Sequence, residues 1–239
     1  MSNKPYKGFE PNWLLTPAPE NSYRSIFRWG DPNFFKYPKE SLYTLMKEKF
    51  QMTDDDFKAY SDDTGFDPVE LPDHPVQLAP EHIDALKAIV GEQNLSTTDY
   101  DRLSVAYGAT AYDLLRLRHK RIDSVPDVVL YPETSEQVEQ IVAYSTEHHI
   151  PLYVYGGGSS VTRGVEPTKG GISLDMRRNF NKVISFNEID QTITVQAGMS
   201  GPDLEKALQN APELFGAKRQ YTCGHFPQSF EYSSVGGWT

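Results

Sequence analysis

The stretch VYGGGSSVTRG, residues 154–164, decides how this 239-residue chain is read. It continues a short apolar run, LYVY at 152–155, and three successive glycines end that run. Gly156, Gly157 and Gly158 carry no Cβ, so their backbone N–H groups can come close to a ligand. Successive amides can then form a nest for an anion such as a pyrophosphate. Ser159 and Ser160 add hydroxyl donors. A glycine-rich turn between two strands would use the same residues, and the triplet alone leaves both readings open. Two common nucleotide motifs fail. A Walker loop needs Gly-Lys-Ser/Thr at its end, and none follows. A Rossmann turn needs a small third residue and an immediate helix. Here Val161 takes that third place, and Gly164, Pro167, Gly170 and Gly171 forbid a regular helix. A strand, GISLD at 171–175, comes next. Any anion would therefore be held by loop amides with no helix dipole behind them.

Upstream of the loop, DVVLY at 127–131 reads as a short buried strand ended by Pro132. Thr134 followed by Gln137 has the form of a capping box. It opens a helix with Val138, Ile141, Val142 and Ser145 on one stripe, which stops at His148–His149. Strand, helix and the strand LYVY make a unit that predicts a parallel pair. Downstream, KVISFN and TITVQA read as two strands joined around Glu188–Gln191, and Gly201–Pro202 opens a helix with Leu204 and Leu208 on one face. A second Gly/Ser cluster, TCGHFPQSFEYSSVGGWT at 222–239, is expected to leave a strand as well. The two loops could clamp one elongated cofactor between them.

The first 120 residues have a different texture. Residues 1–60 hold 13 of the 29 aromatics, among them Trp13, Trp29, Phe34, Phe35 and Tyr37, and ten of the 17 prolines precede residue 81. Rings and prolines in that density suit an irregular cap over a core, or an arm laid on a partner. Helical spacing links Leu42, Leu45, Met46 and Phe50, then Ile83, Leu86, Ile89 and Val90, then Tyr100, Leu103 and Tyr107; a further helix fits 112–119. The segment 61–80 reads as a linker. The expected organisation is thus an α+β chain: a helical and irregular region over 1–120, then a domain with a mixed sheet flanked by helices over 121–239.

Lys and Arg number 23 against 33 Asp and Glu, a net charge of −10, which argues against nucleic acid as a partner. The single cysteine, Cys223, excludes an internal disulfide framework and a cysteine-based zinc site. The start MSNKPYKGFE has no apolar signal core, and no segment approaches the ~20 apolar residues of a membrane span. The expectation is a cytoplasmic protein with peripheral membrane contact left open. The pair His148–His149 reads as solvated helix-end residues, so no metal site is expected.

Taken in order, these segments resemble the FAD-linked oxidases of the vanillyl-alcohol-oxidase type, with their PCMH-type FAD-binding domain. Pro126–Pro132 through Val138, Pro151–Ser160, Ile172–Asp175, Val195–Gly198 and Ser234–Gly237 match that family's ordered motifs. Gly224, His225, Pro227, Ser229, Glu231, Ser233, Val235, Gly236, Gly237 and Trp238, with Leu114–Leu115–Arg116 upstream, are most similar to the alkyldihydroxyacetonephosphate synthase subfamily. Lactate and glycolate oxidoreductases usually carry Asn at the position of Trp238.

The resemblance implies FAD as cofactor, its pyrophosphate held by Val154, Tyr155, Gly156, Gly157, Gly158, Ser159 and Ser160. It places Pro132 near the adenine, and Gly198 belongs to a further motif of the flavin domain. Pro227, Gln228, Ser229, Phe230, Glu231, Tyr232 and Ser233, with Gly236 and Gly237, would line the isoalloxazine and pyrophosphate. Ser159 stands where covalent relatives often carry His, which implies non-covalent flavin. Members of the family are longer, so the resemblance also implies that the chain stops inside the flavin domain. The substrate cap and the catalytic residues are then missing, and residues 1–239 alone are expected to be inactive. The implied reaction exchanges acyl for alkyl on dihydroxyacetone phosphate. The alternatives are a 2-hydroxy-acid dehydrogenase and a non-catalytic binding module. The implied partner is a small, lipid-like substrate, with a homodimer left open.

Overall fold

The structure is a computed structural model that describes residues 16–26, 39–58 and 65–239. The expected aromatic arm falls largely outside them, since Trp13, Trp29, Phe34, Phe35 and Tyr37 are not among the described residues. The chain divides into two compact units, Met1–Pro68 and Val69–Thr239. In the first, helices α1 (Glu40–Phe50) and α2 (Asp54–Lys58) are tied by Lys47 on Asp54 at 2.8 Å and by the rings of Tyr43 and Phe57, 4.8 Å apart. Hydrogen bonds with Asp54 and Tyr43 push the Lys47 ammonium up to about 12.

The second unit holds the sheet and the helices predicted for 80–119. Helix α3 (Pro80–Val90) starts with Pro80, whose missing N–H costs nothing there, and ends at Gly91 with φ +88°. Strand β1 (Leu95–Ser96), helix α4 (Asp99–Ser104) and helix α5 (Ala111–Arg118) follow. Thr110 and Asp113 form a reciprocal capping box on α5. Then come β2 (Val128–Leu130), α6 (Ser135–Glu147), β3 (Leu152–Tyr155) and β4 (Ile172–Asp175). Among the described residues these strands make one sheet in the order β1-β2-β4-β3. β2 and β3 are parallel, as the strand–helix–strand unit predicts, but they are not neighbours: β4 lies between them, parallel to both, and β1 closes the other edge antiparallel to β2. Burial explains the insertion. All four residues of β4 are buried, whereas β3 is only partly covered and Val154 is exposed.

Side chains alternate across the sheet with period two. Val128, Leu130, Ile172 and Leu174 face a core shared with Leu86 and Val90 of α3 and Ile141 of α6. Val129 and Tyr131 face the opposite side with Val105 and Tyr155. Each such fully buried aliphatic contributes about 1.5–3 kcal/mol by removing apolar surface from water. On α6, Val142 points outward and is exposed. Thr134 accepts from the Gln137 amide at 3.2 Å, yet the Gln137 side chain accepts from Glu133 N–H at 2.7 Å rather than from Thr134, so the predicted box is only half formed.

Strands β5 (Val183–Asn187) and β6 (Thr192–Val195) form a separate antiparallel pair. The Asn187 side chain accepts from the amides of Ile189 and Asp190 and shapes the turn between them. Helices α7 (Gly201–Gln209) and α8 (Ala211–Phe215) follow, and Met199, Leu204 and Leu208 pack against Phe186, Ile193 and Trp238. Among the described residues no helix is long and apolar enough to cross a membrane.

Candidate cofactor site

The three parallel strands end on one edge of the sheet, and their carboxyl ends present Tyr131–Pro132, Gly156 and Met176. In open sheets with parallel strands this is the edge at which ligands bind. Pro132 is buried just past β2, and Asn179 holds the preceding carbonyl of Tyr131 at 3.1 Å. Tyr155 is 1% exposed, with the Arg177 guanidinium 4.7 Å from its ring centroid. Arg177 in turn grips Asp175 through two nitrogens at 3.0 and 2.6 Å.

The glycine loop leaves β3 here. Among the described residues, none accepts a hydrogen bond from the amides of Gly157, Gly158, Ser159 or Ser160. Four consecutive donors are left over; Gly158 is buried, where backbone N–H groups are normally paired, and the other three are partly covered. Gly158 is in the left-handed region at φ +72°. An added Cβ at that position would stand 2.1 Å from the Tyr155 hydroxyl.

The loop is braced by the second Gly/Ser cluster. A Cβ at Gly156 would lie 2.3 Å from Ser234 Oγ, and one at Gly157 only 2.0 Å from the Tyr232 carbonyl oxygen. Tyr232–Ser234 thus runs directly against Gly156–Gly157. Its own support comes from behind. Val235 N–H donates to Met199 O and Gly236 N–H to Ala197 O, both at 2.9 Å. Gly198 sits so close to Met176 that its Cβ would be 1.9 Å from that residue's carbonyl. Trp238 Nε1 donates to Ser233 Oγ at 2.7 Å, which fixes the serine hydroxyl.

The sequence reading and the geometry differ over the second cluster and over Glu166. The second cluster does not leave a strand; it follows α8 through an irregular segment and ends in two short 3-10 turns, Phe230–Tyr232 and Val235–Gly237. Pro227 and Ser229 are partly covered while Gln228 and Glu231 are exposed, and Phe230 packs on Gly201 at the start of α7. Of that segment, Tyr232 and Ser233 are the expected residues that the structure brings to the glycine loop. Ser234, which the sequence reading took as a hydroxyl of the second cluster, is brought there too. Arg116, quoted in the resemblance with no role given, and Glu166, which the sequence reading did not name, are buried behind the loop. His148 and His149, read as solvated helix-end residues, are exposed at the end of α6, where the His148 ring lies against Tyr144 at 4.2 Å and His82 at 5.0 Å.

A nest of free amides, backed by glycines whose Cβ positions are filled by a second loop, fits a diphosphate-bearing cofactor. Comparison with known proteins names it. Residues 126–239 match the family described as FAD binding domain. Over 212 residues the chain is 30% identical to an alkyldihydroxyacetonephosphate synthase of Dictyostelium discoideum, covering 87% of this chain and 33% of that protein. It is 26% identical over 149 residues to the glycolate oxidase subunit GlcD of Bacillus subtilis (strain 168), covering 62% of this chain and 28% of that one. A solved alkyldihydroxyacetonephosphate synthase superposes with a TM-score of 0.63 at 32% identity, over 69% of this chain and 32% of that chain. The chain spans about a third of the length of the curated synthase it matches. Residues 126–239 are therefore similar to that FAD binding domain family, and the match supports FAD as the cofactor.

Proposed function

We propose that this chain is the FAD-binding portion of a flavoenzyme that exchanges the acyl group of acyl-dihydroxyacetone phosphate for an alkyl group. The observation that supports this reading is the reach of the similarity. The match to the synthase extends over 87% of the chain, whereas the glycolate oxidase subunit matches over 62%. Trp238, which ties Ser233 down, also stands where lactate and glycolate oxidoreductases usually carry Asn.

In this reading Gly157–Ser160 hold the pyrophosphate through their amides, Tyr232–Ser234 keep those amides in place, and Pro132 borders the adenine. Flavin supplies an electrophilic centre for the exchange with no net redox change. No residue within 1–239 is assigned as general base. Ser159 leaves the loop without a histidine for attachment, so the flavin is held non-covalently. The substrate is lipid-like, and contact with a membrane surface follows from that.

The whole protein, given acyl-dihydroxyacetone phosphate and a fatty alcohol, is expected to form the alkyl product without consuming an electron acceptor. Bleaching of the flavin by glycolate or lactate, with no alkyl product, would favour the 2-hydroxy-acid dehydrogenase reading instead. On acid precipitation of the same preparation, the yellow colour should pass to the supernatant; colour kept in the washed pellet would refute non-covalent binding.

A further inference from the structure

Behind the glycine loop lies a buried ion cluster that the cofactor reading does not use. Arg116, 2% exposed on α5, donates from Nη2 to Glu166 Oε1 at 2.7 Å, and Glu166 is itself 5% exposed. Arg163 closes on the same carboxylate from the loop side, Nε to Oε2 at 2.7 Å and Nη2 to Oε1 at 3.0 Å. Asp123 lies 3.6 Å from Arg116 Nε, and Ser124 Oγ reaches Glu166 at 3.4 Å. The Arg116 guanidinium also lies over the Tyr107 ring at 3.9 Å. One buried carboxylate thus joins an arginine of the scaffold to an arginine of the loop.

Two further features show that this junction constrains the loop. Arg163 has φ +64°, a left-handed backbone that is uncommon for a residue with a Cβ. The segment from Gly156 to Gly171 is also pinned at both ends. Ser160 O accepts from Ala109 N–H at 2.8 Å, and Gly171 N–H donates to Asp127 Oδ2 at 2.7 Å. Among the described residues, Glu166 is the one ionic tie between these pins. Removing its charge would leave Arg116 and Arg163 facing each other, and the segment between Ser160 and Gly171 would be held by the packing of Val165 and the Lys169 N–H bond to the Tyr153 hydroxyl at 3.3 Å, with no ionic tie.

We propose that Arg116, Glu166 and Arg163 form a latch that holds the glycine loop in its cofactor-binding shape, with Glu166 as a positioning residue that never touches FAD. This rests on the FAD reading above. Displacement of catalytic or binding groups by changes behind them commonly costs roughly ten- to a hundredfold, and a loss in FAD affinity of that order is expected for Glu166→Gln.

The test strips the purified protein of flavin and titrates FAD into it in the cold, well below the melting transition of each variant. Glu166→Gln should bind FAD that much more weakly, and Glu166→Asp should recover part of the loss. A purely structural role would lower the melting temperature and leave the cold Kd unchanged. A folded Glu166→Gln with Kd within about twofold of the unaltered protein therefore overturns the latch. If Glu166→Gln does not fold, Arg163→Gln decides, because the Arg163 side chain is 51% exposed and its loss leaves the core intact. Weakened FAD binding there supports the latch, and unchanged binding overturns it. Failure of the unaltered protein to bind FAD overturns the cofactor reading itself, and the latch with it.

Discussion

A Cβ on Gly157 would stand 2.0 Å from the Tyr232 carbonyl oxygen and 2.6 Å from the Ser233 Cα. Both atoms belong to backbone, so neither can rotate away. Gly157→Val therefore forces the two loops apart, and the amides of Gly157–Ser160 lose their backing. The expected result is loss of FAD retention together with an overpacking cost of about 1–3 kcal/mol. Gly164→Ala is the matched control, since nothing lies within 4 Å of its added Cβ. It should keep full FAD binding and an unchanged melting temperature. Flavin-to-protein absorbance ratios of the two variants, read beside their thermal melts, check both statements. Stoichiometric FAD in Gly157→Val would remove this loop from the cofactor site. The sequence made the glycine triplet legible because no other residue has its consequences. The sequence did not reveal what the missing Cβ makes room for. The reading expected a pyrophosphate in that space, and the structure puts Tyr232–Ser233 there. That contact joins residues 75 positions apart, and local pattern carries no trace of it.

Elements were legible where local rules act alone. Apolar periods found α3, α6 and α7; Pro80 and Gly91 marked the ends of α3, Gly201–Pro202 the start of α7 and Thr134 the start of α6. The order of the strands was not, because pairing is chosen by burial on both faces: β4 entered between β2 and β3 as the strand able to be covered on each side. The role of α3 also emerges only in the fold. Leu86 is 0% exposed and shares a core with Val128, Leu130, Ile141 and Ile172, so this helix is part of the wall of the sheet. Leu86→Ala should leave a cavity there and cost about 2–5 kcal/mol. Because the core is shared, the loss should appear in the unfolding of the whole sheet, as one urea transition moved to lower concentration with its slope kept. An early, separate transition of α3 with the remainder unmoved would show that the helix and the sheet do not form one cooperative unit.

For the whole molecule the question is how much of the chain the cofactor site needs. Each tie on the glycine loop named above arises between residues 69 and 239: Ala109 to Ser160, Arg116 to Glu166, Asp127 to Gly171 and Tyr232 to Gly157. Asp127 adds a link to the start of this unit by accepting from the Gln77 amide at 2.7 Å. A chain starting at Val69, where the second compact unit begins, should therefore fold and titrate with FAD within about threefold of the longer chain, under about 0.7 kcal/mol. A chain starting at residue 121, the boundary expected from sequence, should behave differently. It lacks Leu86 and Val90 against one face of the sheet and Val105 against the other. It also leaves the Asp127 carboxylate without Gln77 and Glu166 without Arg116, and buried polar groups stripped of partners cost about 1–3 kcal/mol each, more where a charge is involved. It should lack a cooperative melt and bind no FAD. Circular dichroism melts and FAD titrations of the two truncated chains, side by side, decide the matter. Full FAD affinity in the chain starting at 121 would show that the helices of 80–118 are dispensable, and with them the Arg116 half of the latch. Loss of binding in the chain starting at Val69 would instead assign part of the cofactor site to the first 68 residues.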